Sequence, residues 1–267
     1  MRFVDLALAQ RIERVSMAIE SSYAKTFATL EPDRDIEVAE IGGGIAVFAG
    51  DGSPMSQATG FGLDGEVAER DVAALASFYA RRQSQARVVV CPMADPSLLK
   101  LLGEHGFWLS DFEQVMIRDL SASEFSEQTT GVRVRIASPE DKETYINAVG
   151  PNFTETGVMT PDMIAMMGTL FAMDDAPVFL GEIEGRAVGG GSLLIRDGVA
   201  MLAGAATLPE FRNRGVHSAL FSARLDHAKA LGCEFAVMGA APGSVSQKNA
   251  ERKAFRLAYT KVNLVKT

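Results

Sequence analysis

The chain has 267 residues, 47% of them hydrophobic, 22% charged and 7% aromatic, which is the composition of a protein with an ordinary buried core. Lys and Arg total 26 against 34 Asp and Glu, and the net charge of -8 excludes a broad basic face for nucleic-acid backbone or anionic lipid. Two distant cysteines, Cys91 and Cys233, and three histidines in no ligand spacing, His105, His217 and His227, exclude a disulfide scaffold and predict no metal site.

The opening Met1-Arg2-Phe3-Val4-Asp5 gains charge too early for a secretory leader, and no apolar run approaches the ~20 residues that span a bilayer. No membrane association is expected, and the cytoplasm is the expected location. Apolar residues then recur at helical spacing from Leu6 to Leu30, until Glu31-Pro32-Asp33 stops them, which predicts one or two helices. Ile36 to Ile41 and Ile45 to Phe48 flank Gly42-Gly43-Gly44 as a hairpin. An amphipathic helix from about Val67 to Arg82, a strand at Val88–Val90, a helix from Leu98 to His105 and a strand from Gly106-Phe107 follow. Ser121 to Thr130 is polar and poor in strand formers, and marks a linker at 121–131 between domains at 1–120 and 132–267.

A similar series begins with the strand Val132 to Ile136 and a helix opened by Ser138-Pro139-Glu140-Asp141. The stretch Met159 to Met173 is helical and rich in methionine, either core packing or a flexible apolar wall for a ligand. Strands at Pro177–Ile183, Arg186–Ile195 and Val199–Thr207, a helix from Val216 to Leu231, a strand at Glu234–Met238, a short helix and a strand from Phe255 complete the order. The two series keep an offset of 148 residues, from Gly106-Phe107 to Ala254-Phe255, which points to a repeat.

Chemistry concentrates at Leu202 to Leu220. A strand ends at Thr207, and Arg212-Asn213-Arg214-Gly215 opens directly into a helix. First-turn N–H groups lack helical partners and the helix dipole favours negative charge there, so this is either an anion site or a solvated turn. Gly189-Gly190-Gly191 and Gly42-Gly43-Gly44 lack dinucleotide-loop spacing and suit turns or bulges. The absence of a P-loop lysine disfavours a nucleotide-phosphate binder.

Arg212-Asn213-Arg214-Gly215-Val216-His217, in its strand–loop–helix setting, resembles the phosphate loop of the GCN5-related N-acetyltransferase (GNAT) superfamily, with His217 where Gly or Ala is usual. The resemblance covers Val132 to Thr267 and implies an α/β fold with a mixed sheet. It describes two tandem acetyltransferase-like domains, each a mostly antiparallel sheet flanked by helices. It further implies acetyl-CoA as cosubstrate, held by Ala206, Thr207, Arg212, Arg214, Gly215, Val216, His217, Ser218, Asn249 and Arg252, and an amine acceptor that attacks the thioester directly. The tyrosine that often donates a proton to the departing thiolate is absent, because Ala250 stands five residues before Phe255. Ser246 or Tyr259 is the substitute. Asn249 as a helix cap and Tyr259 as a packing residue are equally compatible with the pattern. The strand Met201–Thr207 carries no carboxylate, which leaves a water or a residue such as Glu155 to take the amine's proton. These two departures also fit a non-catalytic acyl-CoA-binding module. At the matching position of the first half, Asp64, Glu66 and Glu69 would repel a diphosphate, which makes residues 1–120 a degenerate copy.

Overall fold

The computed structural model describes residues 3–121 and 131–267. Residues 122–130 of the expected linker lie outside the described residues. In chain order the elements are α1 (Leu6–Leu30), β1 (Glu37–Ile41), β2 (Gly44–Phe48), β3 (Gln57–Thr59), α2 (Glu69–Ala80), β4 (Ala86–Val90), α3 (Pro96–Glu104) and β5 (Trp108–Asp119). They continue as β6 (Arg133–Ile136), α4 (Lys142–Val149), α5 (Pro161–Thr169), β7 (Val178–Ile183), β8 (Arg186–Arg196) and β9 (Val199–Thr207). The last are α6 (Val216–Ala230), β10 (Phe235–Ala240), α7 (Val245–Arg252) and β11 (Arg256–Lys266). The short β3, in a stretch rich in Gly, Ser and Pro, carries no alternation and is the element the sequence pattern omits.

The chain forms two compact units, Met1–Met116 with Gly239–Thr267, and Ile117–Met238. These differ from the expected domains in two respects: residues 239–267 group with the first half, and the second unit begins at Ile117, within β5. The reason for the first is β11, which runs antiparallel to β4 from Val262 beside Val90 to Lys266 beside Ala86. A pairing between strands so far apart in the chain leaves no trace in local periodicity.

In the first unit the strands lie in the order β1-β2-β3-β4-β11-β5, with β3 and β4 parallel. Alternation on β2 divides its side chains between two faces. Ile45 and Val47 pack with Ala24 of α1, and Ala46 and Phe48 join Leu75, Phe78 and Tyr79 of α2. The Tyr79 hydroxyl donates to the Val47 carbonyl at 3.0 Å. Between α1 and the sheet lies a buried ion pair, Lys261 Nζ to Glu13 Oε2 at 3.0 Å, and the Tyr259 hydroxyl donates to Glu13 Oε1 at 2.6 Å. Burial alone would push Lys261 down, but Glu13, Glu113 and Glu20 together hold it above the usual range.

The second unit has the order β10-β9-β8-β7-β6, antiparallel except for β10 beside β9. Every residue of β7 is buried because helices cover both faces. Val178 and Leu180 pack with Tyr145, Ile146 and Val149 of α4, while Gly181 faces Val216 and Leu220 of α6. The start of α4 is fixed by Asp141, which accepts from the Ser138 amide at 2.8 Å and from Arg135 Nη1 at 2.6 Å. Arg135 holds that carboxyl well below the usual carboxylate range.

From β3 onward, the series β3-α2-β4-α3-β5 recurs as β9-α6-β10-α7-β11. Thr59 and Thr207, 148 residues apart, end the leading strands, and each carries a buried hydroxyl without a hydrogen-bond partner.

Replacing Lys261 by Met strands Glu13 without its cation and should cost about 3 to 5 kcal/mol, whereas the double variant with Glu13→Leu should recover most of that loss. Denaturant unfolding of the two variants measures both.

Candidate active site

The site begins with a parting of strands. β10 pairs with β9 only over Val199 to Met201, and the rest of β9 continues with β8 alone. Within that stretch β9 bulges: Ser192 pairs with Ala203 and Gly190 with Ala206, so Gly204 and Ala205 together oppose Gly191. Gly204 has φ of +56°, a left-handed conformation that favours glycine. Its carbonyl accepts from the Tyr145 hydroxyl at 3.2 Å, and the Ala203 carbonyl accepts from Ser192 Oγ at 3.1 Å. The glycine triplet on β8 belongs to this bulge, and Gly42-Gly43 forms the β1–β2 turn.

After Thr207 a single 3-10 turn, Pro209–Phe211, leads into Arg212. Asn213 and Gly215 take positive φ, +62° and +82°, and Gly215 is the N-cap of α6. The first helical bond runs from the Ala219 amide to the Gly215 carbonyl at 2.9 Å, so the amides of Val216, His217 and Ser218 precede the helical ladder. A left-handed turn followed by leading helix amides is a backbone arrangement that suits an anion. Arg212 and Arg214 are exposed beside it. Arg212 is tethered, Nη2 donating to Asn152 Oδ1 at 2.9 Å and Nε to the Thr207 carbonyl at 3.4 Å. The guanidiniums of Arg214 and Arg186 lie over the Phe211 ring at 5.4 and 4.9 Å. Gly181 lets the helix approach this closely, since a Cβ there would stand 2.9 Å from Val216 Cγ1.

Of the expected cofactor residues, Ala206, Thr207, Arg212, Arg214, Gly215, Val216, His217 and Ser218 come together at the end of β9 and the start of α6. The half-buried His217 ring packs on Phe221 at 5.3 Å, so the histidine in place of a small residue is accommodated by its own helix. Asn249 and Arg252 lie on α7, in the first unit, as does the exposed Ser246. Asn249 does not cap that helix; Ser244 does, accepting from the Gln247 amide. Tyr259 is buried in the first unit, and burial together with Glu13 raises its pKa well above the usual phenol range. Glu155 is exposed. Met159 and Met167 pack over Gly150 against the α4 core, which answers the question of core or wall in favour of core for these two.

In the first half α1 packs beside the corresponding loop, over residues 60–63, while Asp64, Gly65, Glu66 and Glu69 of the loop itself are exposed. Gln10 Nε2 donates to the Leu63 carbonyl at 2.6 Å, Arg14 Nη2 contacts Asp64 Oδ1 at 2.5 Å, and Met17 occupies the space a Cβ on Gly60 would need. Asn152, which tethers Arg212, and Tyr145 and Arg224, which hold carbonyls of the β9 bulge, carry no local motif. Among the described residues no cluster could hold a metal ion, no helix is long and apolar enough to cross a membrane, and Cys91 and Cys233 are buried and free.

Residues 144–254, which contain the bulge, the loop and α6, match the model of the acetyltransferase (GNAT) family. This segment is similar to the GNAT acetyltransferases. The fold agrees along most of the chain. A GCN5-related N-acetyltransferase from Kribbella flavida superposes with a TM-score of 0.66 at 19% identity, covering 91% of this chain and 94% of that one. One from Sphaerobacter thermophilus gives 0.58 at 15%, over 99% and 94%. A tandem GNAT protein from the clavulanic acid biosynthesis pathway gives 0.59 at 13%, over 84% and 82%. Comparison with curated protein sequences finds no match. Similarity to the GNAT family implies acetyl transfer.

Because the GNAT loop is seated by the missing side chain of Gly181, Gly181→Leu should push α6 from β7. The expected loss is about 1 to 3 kcal/mol, read by denaturant unfolding.

Proposed function

We propose that the protein is an acetyl-CoA-dependent N-acetyltransferase whose cosubstrate binds the second unit, the diphosphate resting at Arg212–Ser218. The observation that carries this reading is the loop itself: a left-handed Gly215 capping α6, with arginines beside the leading amides.

Acetyl-CoA would supply an activated thioester, at which the amine nitrogen forms the new C–N bond while the C–S bond breaks and its electron pair leaves on sulfur. Arg212 and Arg214 balance the diphosphate charge, and Asn152 restrains Arg212 in its place. The backbone of β9 beyond Met201, released from β10, offers hydrogen-bonding groups to the cosubstrate's arm. Tyr259 is set aside as proton donor to the departing thiolate, because its hydroxyl is committed to Glu13. β9 carries no carboxylate, so the amine's proton passes to a water or to an exposed group such as Glu155. The acceptor is an amine of a small molecule or a protein.

The second reading, a non-catalytic acyl-CoA-binding module, is favoured by that bare strand and by Ala250. Thiol release from acetyl-CoA across a panel of amines separates the two.

Calorimetry should find one acetyl-CoA per chain, since Asp64, Glu66 and Glu69 are exposed on the first-half loop and would repel a diphosphate. Gly215→Glu should weaken binding by about 100-fold or more, ~2.8 kcal/mol, with an unchanged circular dichroism spectrum. Unchanged affinity, or two equivalents bound, contradicts the assignment.

A further inference from the structure

Arg224, on α6, is 1% exposed, yet no carboxylate partners it among the described residues. Its Nε donates to the Leu220 carbonyl at 3.1 Å, one turn back on its own helix. Its Nη1 donates to the carbonyls of Ser192 at 3.1 Å and Ala203 at 3.4 Å. The guanidinium also lies 5.4 Å from the Phe221 ring centre. A buried cation held only by neutral oxygens is costly, and an apolar side chain of similar volume would be cheaper for the fold. Burial pushes its pKa down to about 10, against a smaller opposing effect of Tyr145. Stability therefore gives no reason for an arginine here.

The surrounding sequence is nevertheless shaped to admit it. A Cβ on Gly191 would stand 3.0 Å from Arg224 Nη1, and a Cβ on Gly190 would stand 2.9 Å from the Tyr145 ring. Successive strand residues face opposite sides, so Arg224 reaches the β9 bulge from the α6 face and Tyr145 reaches it from the α4 face. Their donors hold the carbonyls of adjacent residues, Ala203 and Gly204. The amides that share those peptide planes belong to Gly204 and Ala205, the two residues without a register partner on β8. A peptide whose oxygen accepts from a cation or hydroxyl is polarised, and its N–H becomes a stronger donor.

We infer that Arg224 and Tyr145 are positioning residues for acetyl transfer, acting through the β9 bulge to fix and polarise the Gly204 and Ala205 amides toward the acetyl carbonyl oxygen. This rests on the proposed function, with the thioester along β9 beyond Met201. The role explains why a costly cation and two clearing glycines coincide at one bulge.

The test follows the carbonyl resonance of acetyl-CoA labelled with carbon-13 at the acetyl carbonyl, bound to the full chain and to Arg224→Met, Arg224→Lys and Tyr145→Phe. The resonance should move downfield on binding the wild type. In Tyr145→Phe and Arg224→Lys that movement should fall by about half or more, while affinity stays within about twofold. Arg224→Met should melt no lower than the wild type, since it removes a buried charge. A purely structural role predicts a lower melting temperature for Arg224→Met and an undiminished downfield movement in the folded variants, and either result overturns the inference. Binding to the wild type without any downfield movement overturns it as well, and leaves the proposed function standing. A wild type that does not bind acetyl-CoA overturns the proposed function itself.

Discussion

The second unit depends on the loss of pairing between β9 and β10 after Met201. While two parallel strands stay in register, their backbone groups satisfy each other and offer nothing to a ligand. Once they part, the later half of β9 must find other partners, and the bulge at Gly204 and Ala205 turns its peptide planes further out of the ladder. The strand also delivers the chain to the loop before α6. Its end is therefore both an edge released from β10 and the approach to a helix N-terminus. The seating of that helix on Gly181 fixes how close its leading amides stand to the strand. One departure from regular pairing thus organises the backbone edge, the loop and the helix.

The two units treat buried charge differently, and the contrast follows their uses. In the first, Lys261 is surrounded by Glu13, Glu20 and Glu113, and the loop that corresponds to the proposed anion site carries exposed carboxylates, Asp64, Glu66 and Glu69. The buried polar groups are consumed internally and the loop is acidic. In the second, Arg224 is held by carbonyls alone and the loop carries exposed arginines. A structure selected only for stability would pair or remove such a cation. Its retention beside an irregular strand fits a site that needs a particular backbone posture.

Most of the fold was legible because its elements are amphipathic and well punctuated. The strands around Glu184-Gly185 and Asp197-Gly198, the helix after Gly215 and the 148-residue offset all follow from local pattern, and the loop was legible because glycine and two arginines stand directly before a helical period. What was not legible depends on distance. The pairing of β11 with β4 joins residues near 262 to residues near 90, which no window of sequence reveals. Arg224 sits in a helical run where an arginine ordinarily reads as solvated, and only the three-dimensional position of Gly191 shows it is buried. The pattern around Tyr259 suits a packing residue and a proton donor alike, and its partner Glu13 lies at the other end of the chain.

The central claim is that one loop, in the second half alone, receives the cosubstrate. Amide hydrogen exchange with and without saturating acetyl-CoA tests it most directly. The account predicts added protection at residues 203–207 and 212–219 and none at 58–69. Equal protection of both segments, or protection confined to 58–69, would contradict it.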